Sequence, residues 1–360
     1  MTRYVIKRLI QSIPIFFGIT IISYALMLGA PGGPVAAMYF GNTAMSADEI
    51  KRQENILGVN DPFYVQYLRW LLGDDWMRRD IDGDGVADTA IFIPLDVDGD
   101  GEAEPPGQRK GILRGDFGLS FFHRRPAVQV LTERLGATLE LGAAALLVGL
   151  IVGISVGVLA AVNHGRWFDQ VSRIGAVVLN ALPNFWLGLI LLLIFGSTLR
   201  ILPLGNRCKT TLDDSCPPLT QRLEFLILPT IVLAGGTVAG YSRFMRTSML
   251  DVVSQDYIRT AYAKGLNRRT VWVRHGLRNA LLPIATFLGP SITFLLGGAA
   301  VTETVFSWPG VGRLAVNAVG QRDFPVVMAV TIYTALATIL GYLLSDILYA
   351  ALDPRIRFEG

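Results

Sequence analysis

Leu139-Glu140-Leu141-Gly142-Ala143-Ala144-Ala145-Leu146-Leu147-Val148-Gly149-Leu150-Ile151-Val152-Gly153-Ile154-Ser155-Val156-Gly157-Val158-Leu159-Ala160-Ala161-Val162 decides the fold. Its one charged residue, Glu140, stands at the start. A helix that crosses a bilayer needs about 20 mostly apolar residues, and this run supplies them. Five more runs have the same character: 9–28, 174–199, 225–241, 281–301 and 326–348. The run 225–241 is the least apolar, diluted by Gly235, Gly236 and Gly240, but small residues let membrane helices approach closely. The 360-residue chain agrees as a whole: it is 51% hydrophobic and 17% charged, with mean hydropathy +0.44. A soluble domain carries roughly 25% charged residues. This composition excludes disorder and fibrous repeats, and a formal charge of +3 gives no footing for nucleic acid. The expected fold is an all-α integral membrane protein: six transmembrane helices with a large extracytoplasmic insert between helices 1 and 2. Three parts follow, 1–29 as an N-terminal transmembrane helix, 30–138 as the insert, and 139–360 as the core with five further spans.

Lysine and arginine placement sets the orientation, because short cytoplasmic loops collect positive charge. Eight basic residues lie between spans four and five: Arg243, Arg246, Arg259, Lys264, Arg268, Arg269, Arg274 and Arg278. With that hairpin inside and the spans alternating, both termini are cytoplasmic and the chain is a multi-pass protein of the cytoplasmic membrane. The apolar run after Arg3, Lys7 and Arg8 is longer than a signal-peptide core, which favours a retained anchor over a cleaved leader. The two cysteines, Cys208 and Cys216, then share an outer loop, where a disulfide is permitted; unlinked thiols in a loop are the alternative.

The insert contains two similar acidic strings. Asp80, Asp82, Asp84 and Asp88 surround Gly83 and Gly85 over 80–91; Asp96, Asp98, Asp100, Glu102 and Glu104 do the same over 96–107. Carboxylates at positions 1, 3, 5 and 9 with glycine at 6 resemble a calcium loop. Alternate carboxylates turn toward a hard cation, and the position-7 carbonyl, from Val86 or Glu102, adds a ligand. Position 12 holds Ile91 and Gly107, where such a loop has glutamate. Structural calcium in the insert is expected, with solvated acidic turns as the alternative. The stretch 62–72 reads as a short helix against the membrane domain, and Trp70 and Trp76 suit interfacial anchors.

Between spans four and five, over 248–280, the chain reads Asp256-Tyr257-Ile258-Arg259-Thr260-Ala261-Tyr262-Ala263-Lys264-Gly265-Leu266. Residues 256–264 form a short amphipathic helix, with Asp256 suited to its start and Gly265 to a left-handed stop. Such a helix fits docking in a groove of a soluble partner or lying on anionic lipid. The segment resembles the coupling ("EAA") segment of ABC-importer permeases, in particular the dipeptide/oligopeptide/nickel family, although Arg259-Thr260-Ala261 stands where the general pattern has Glu-Ala-Ala. Arg274-His275-Gly276-Leu277-Arg278-Asn279-Ala280-Leu281-Leu282-Pro283 is similar to that family's return into the membrane. Thr302-Glu303-Thr304-Val305-Phe306-Ser307-Trp308-Pro309-Gly310 is similar to its following outer loop. The likeness covers nearly the whole chain apart from 77–111.

The resemblance implies a permease subunit importing di- and oligopeptides. Nickel chelates, glutathione and other small solutes remain open, as does an ATPase-independent channel. The implied partners are a second homologous permease, two cytoplasmic ATPase subunits, an extracytoplasmic substrate-binding protein and membrane lipid. The coupling residues Asp256, Tyr257, Ile258, Arg259, Thr260, Ala261, Tyr262, Ala263, Lys264 and Gly265 would meet the ATPase. Glu303 and Trp308 would lie near an outer gate or substrate path. The chain contains no Gly-x-x-x-x-Gly-Lys-Ser/Thr loop, so ATP and Mg belong to the partner subunits, and no transport cofactor is expected in this chain. Glu140 and Asp346 are ionisable residues near span ends, where water reaches them, which favours a surface role over one in the path. His123, His164 and His275 are scattered and form no metal-ligand pattern.

Overall fold

A computed structural model describes residues 2–29, 62–73, 110–209, 216–281 and 284–352. The described elements are helical, apart from one isolated antiparallel bridge between Leu119 and Pro126. In chain order they are α1 (Thr2–Leu28), α2 (Phe63–Leu72), α3 (Ala127–Val162), α4 (Trp167–Ala181), α5 (Asn184–Leu191, running on as π-helix over Leu192–Thr198), α6 (Leu223–Val253) and α7 (Asp256–Ala263). There follow α8 (268–280, π-helical over Val271–Leu277), α9 (Ile284–Gly297), α10 (Ala300–Val305), α11 (Val311–Gly320) and α12 (Phe324–Leu352).

Four helices contain segments long and apolar enough to cross a membrane: Ile6–Leu28, Ala127–Val162, Leu223–Val253 and Phe324–Ser345. The bent pair α4 and α5 makes a fifth if counted as one span. The described residues thus give four spans, or five with the bent pair, beside the six transmembrane helices expected. The run 174–199 breaks at Pro183, where Leu182 is extended and proline supplies no N–H, so α4 and α5 meet at 100°. In the run 281–301, residues 282 and 283 lie outside the described residues and the described helix is α9. It stops at Gly298, whose φ of +82° is a left-handed conformation. The glycine-diluted run 225–241, by contrast, lies inside a continuous 31-residue helix.

The chain divides into two compact units. One comprises Met1–Ile10, Arg134–Leu314 and Leu336–Gly360. In it α3 approaches α6 through three glycines one turn apart. A Cβ on Gly149 would meet the Thr237 hydroxyl, one on Gly153 would lie 2.8 Å from Tyr241 Cβ, and one on Gly157 would lie 2.6 Å from the Ser242 carbonyl. Small residues at this spacing let two backbones pack by dispersion, the main attraction left between helices in lipid. Asp169, in the first turn of α4, fixes α6 with a fork: Arg246 Nε and Nη2 donate to its two oxygens at 2.5 and 2.8 Å.

The other unit comprises Gln11–Glu133 and Ala315–Ala335. Here Tyr24 of α1 packs with Tyr67 and Leu71 of α2 and with Met328 of α12. Thr20 and Tyr67 share a buried hydroxyl hydrogen bond of 2.8 Å. Trp70 stacks at a tilt on Tyr24, 5.2 Å between centroids; Trp76 lies outside the described residues. Asp323 accepts from the Ser120 hydroxyl and from the N–H groups of Phe121 and Phe122.

The glycine stripe generates a clean test. Gly153→Ala puts a methyl into the α3–α6 contact and should cost about 1–3 kcal/mol, read as a lower melting temperature. Gly175→Ala, with nothing within 4 Å of the added carbon, should leave it unchanged or higher.

Candidate functional site

α7 begins after an extended Gln255. Asp256 is the first helical residue rather than the cap, and no side chain caps the helix. Its carboxylate lies 3.5 Å from Arg259 with both groups exposed, a pairing worth little, although a negative charge in a first turn favours the helix dipole. The helix stops at Ala263, one residue earlier than expected, and Gly265 turns the chain at φ +78° with its N–H on the Tyr262 carbonyl, 2.9 Å.

Only Ile258 and Ala261 of α7 are buried, one turn apart, against Val271 of α8. Ala261 therefore serves internal packing. Tyr257, Arg259, Thr260, Tyr262, Ala263, Lys264 and Gly265 are exposed. The Tyr257 hydroxyl accepts from Asn279 Nδ2 at 2.9 Å, a second tie to α8. Arg268 holds the start of α8 by donating to the Val162 carbonyl at 3.2 Å and stacking over Trp272. A short helix is thus fastened by one narrow face and one tyrosine hydroxyl, with Asp256, Arg259, Thr260 and Tyr262 left exposed.

Glu303 and Trp308 lie on and just beyond α10. Both are fully buried. Glu303 Oε1 accepts from the Thr138 hydroxyl at 3.3 Å and the Ala299 N–H at 3.2 Å; Oε2 accepts from the Arg313 N–H at 2.8 Å. A Cβ on Gly310 would lie 2.4 Å from this carboxyl group, and one on Gly312 would lie 3.0 Å from Oε2. Burial pushes the Glu303 carboxyl above the ordinary glutamate value, while the donors from Arg313, Ala299, Thr138 and Gly312 pull it back. The Trp308 ring N–H donates to the Ala137 carbonyl at 2.8 Å, and the Val311 N–H donates to the Thr138 hydroxyl at 2.7 Å. Together these bonds form a clasp joining α10 and α11 to α3.

Glu140, two residues beyond Thr138 on α3, accepts from two arginines. Arg207 donates from Nε and Nη2 at 3.0 and 2.6 Å, and Arg222 donates from both Nη atoms at 2.7 Å. Cys208 and Cys216 are joined by a disulfide with Cα atoms 5.7 Å apart. The bridge therefore sits between two arginines that converge on one carboxylate.

A cavity of about 460 Å³ lies between α3, α6 and α9. Its polar members are Thr237, Tyr241, Arg243 and Ser291. A minute second void, bounded by Thr138, Gly298 and Glu303, shares Gly142 and Leu233 with it, so the clasp closes one end. In the sequence, Arg243 and Arg246 carry only an orientation signal, and Asp169, Thr138 and the apolar lining carry none. The spacing of Gly149, Gly153 and Gly157 was the available signal for where α3 meets a partner helix. The acidic positions Asp80, Asp82, Asp84, Val86, Asp88, Asp96, Asp98, Asp100, Glu102 and Glu104 lie outside the described residues. Among the described residues no group of three His, Cys, Asp or Glu side chains is placed to hold a metal.

The Glu140 cluster yields an ordered pair of effects. Glu140→Ala leaves two arginines without their shared acid and should cost about 3–5 kcal/mol. Arg207→Ala leaves the buried Arg222 pair intact and should cost about 1 kcal/mol or less. Thermal melting of the two variants side by side reads the order.

Residues 153–358 match the family described as binding-protein-dependent transport system inner membrane component, and residues 1–92 match the N-terminal membrane-component family of the same systems. The oligopeptide transport system permease protein AppB of Bacillus subtilis is 37% identical over 359 residues, spanning 99% of this chain and 100% of the relative. The dipeptide transport system permease protein DppB of Escherichia coli K12 is 35% identical, with 100% of both chains covered. The glutathione transport system permease protein GsiC of the same strain is 34% identical, again over 100% of both. A multi-pass helical chain with a narrow-footed surface helix, matched from end to end by such permeases, belongs to the binding-protein-dependent transport system inner membrane component family.

Proposed function

We propose that this chain is one permease half of an ATP-driven importer that carries di- and oligopeptides across a bacterial or archaeal cytoplasmic membrane. The solutes named for its relatives, oligopeptides, dipeptides and glutathione, are all small peptides, which supports that substrate class. The partners are a second homologous permease, two cytoplasmic ATPases and an extracytoplasmic binding protein. Because the chain has no P-loop, the energy comes from those ATPases.

The observation that carries the reading is α7, fastened by Ile258, Ala261 and the Tyr257 hydroxyl and otherwise exposed. A helix with so small a foot has most of its surface available to an ATPase groove. When ATP closes the ATPase pair, the docked helices are drawn together, and α8 passes the displacement to α9 beside the cavity. In this reading there are six spans, both termini are cytoplasmic, 30–138 is extracytoplasmic and 248–280 is the coupling segment. Glu303 and Trp308 hold the outer end of the path shut by shaping it, without touching the solute. The acidic loops 80–91 and 96–107 hold structural calcium, which neutralises carboxylates that would otherwise repel.

Gly265 is a suitable probe of coupling. No atom lies within 4 Å of its added Cβ, so a side chain there strains only the backbone, by about 1–2 kcal/mol at positive φ. In the reconstituted importer, Gly265→Val should leave insertion intact and ATP hydrolysis running while peptide uptake per ATP falls about tenfold. An unchanged ratio of uptake to hydrolysis would count against α7 as the lever. For the insert, joint replacement of Asp80, Asp82 and Asp84 by Asn should abolish the part of the calcium-dependent rise in melting temperature that the first loop supplies. An identical rise in the variant would remove that loop from consideration.

A further inference from the structure

The cavity between α3, α6 and α9 has one charged lining residue, Arg243. Its other polar members are hydroxyls with partners of their own. Thr237 donates to the Ala234 carbonyl at 2.7 Å, and Tyr241 and Ser291 share a hydrogen bond of 2.7 Å. Arg243 is different. Among the described residues its one hydrogen bond runs from Nε to the Ala239 carbonyl at 3.3 Å, and no carboxylate pairs with its charge.

The neighbouring arginine on the same helix shows what a structural arginine looks like here. Arg246, three residues on, forks onto the buried Asp169. Two arginines within one turn therefore have opposite settings: one is neutralised within the chain, and the other presents a free fork to a mostly apolar cavity. Arg243 is exposed and lies toward the inner end of the apolar span Leu223–Val253; an ionisable residue within such a span marks a solute or ion pathway, and a guanidinium fork matches a carboxylate with two parallel hydrogen bonds. The solutes named for the relatives share that feature: every free peptide ends in a carboxylate, and so does glutathione. A volume of about 460 Å³ lies within the range of small-molecule sites.

We propose that Arg243 is a specificity-determining residue of the transport path, binding the carboxylate of the peptide while it occupies this cavity. The proposal rests on the peptide-importer reading. Tyr241, Ser291 and Thr237 give the peptide's amides neutral hydrogen-bonding surface, and Arg243 supplies the one fixed charge.

The test uses the complete permease–ATPase assembly in nanodiscs, free of nucleotide and without the binding protein, so that the path itself is probed. Tritiated alanyl-phenylalanine and its C-terminal amide are the two ligands. The native assembly should bind the acid about tenfold or more tightly than the amide. Arg243→Gln should bind both with the affinity the native protein has for the amide. Arg243→Lys, which keeps the charge without the fork, should retain part of the preference and keeps the test decisive if the glutamine variant fails to assemble. Equal binding of acid and amide by the native assembly overturns the proposal and leaves the peptide-importer reading standing, as does a preference undiminished in Arg243→Gln. Binding of neither ligand overturns both. Neutral and phosphatidylglycerol-rich nanodiscs separate the two sources of an anion: a preference that disappears in the anionic lipid assigns Arg243 to a headgroup phosphate and overturns the proposal.

Discussion

The close approach of α3 and α6 at Gly149, Gly153 and Gly157 is the constraint on which the site depends. Added carbons at these positions would meet Thr237, Tyr241 and Ser242, so the helices are as near as their backbones allow. Helices in lipid gain little from hiding apolar surface, since the surroundings are equally apolar, and small residues in register make contact possible. The contact fixes the rotation of α6 about its axis. It thereby decides that Thr237, Tyr241 and Arg243 line the cavity and that Arg246 reaches Asp169. A bulkier stripe on α3 would move the whole set.

The ends of α3 are built in contrasting ways. At the Thr138 end, Glu303 is caged by close-packed glycines and accepts from three elements, and Trp308 is locked to Ala137. Every buried polar group in that clasp has a partner, so moving it costs several hydrogen bonds together. At the Val162 end the packing is mainly apolar: Ala161 is buried with Met245, Met249 and Trp272, Ser248 donates to the Ala280 carbonyl at 2.9 Å and Arg268 to the Val162 carbonyl, while α7 itself is held by Ile258 and Ala261 against Val271 and by Tyr257 to Asn279.

The fold was legible where composition alone decides it. The runs that became α1, α3, α6 and α12 are recognisable from length and hydropathy because backbone groups in lipid must bond within their own helix. The broken span was harder. Nothing in the apolarity of 174–199 marks Pro183 as a 100° corner rather than a mild kink, since that depends on what α4 and α5 pack against. Asp256 looked like a cap because Asp is a common one, yet the backbone turns one residue earlier, at Gln255. Glu303 was legible as important but not as buried. Its neighbours Gly298, Gly310 and Gly312 come together only through the turn after Trp308, a tertiary fact. Arg243 and Arg246 cannot be told apart by sequence, because what separates them is Asp169, 77 residues away on another helix.

The asymmetry of α3 bears on how force would pass through the molecule. A partner pulling on α7 meets little resistance from its foot, where one isoleucine, one alanine and a tyrosine hydroxyl hold it. The next element, α8, is π-helical over Val271–Leu277, a rare ladder found mostly as single turns and frequently at functional sites. In the proposed reading a displacement of α7 would pass through α8 toward α9, whose Pro290 and Ser291 line the cavity. The opposite wall, α3 against α6, is held by backbone-close packing and by the Asp169–Arg246 fork. In the proposed reading, a cavity with one wall held by close backbone packing and the other reached from α7 would change volume when a partner moves α7. That is the mechanical requirement of an alternating path.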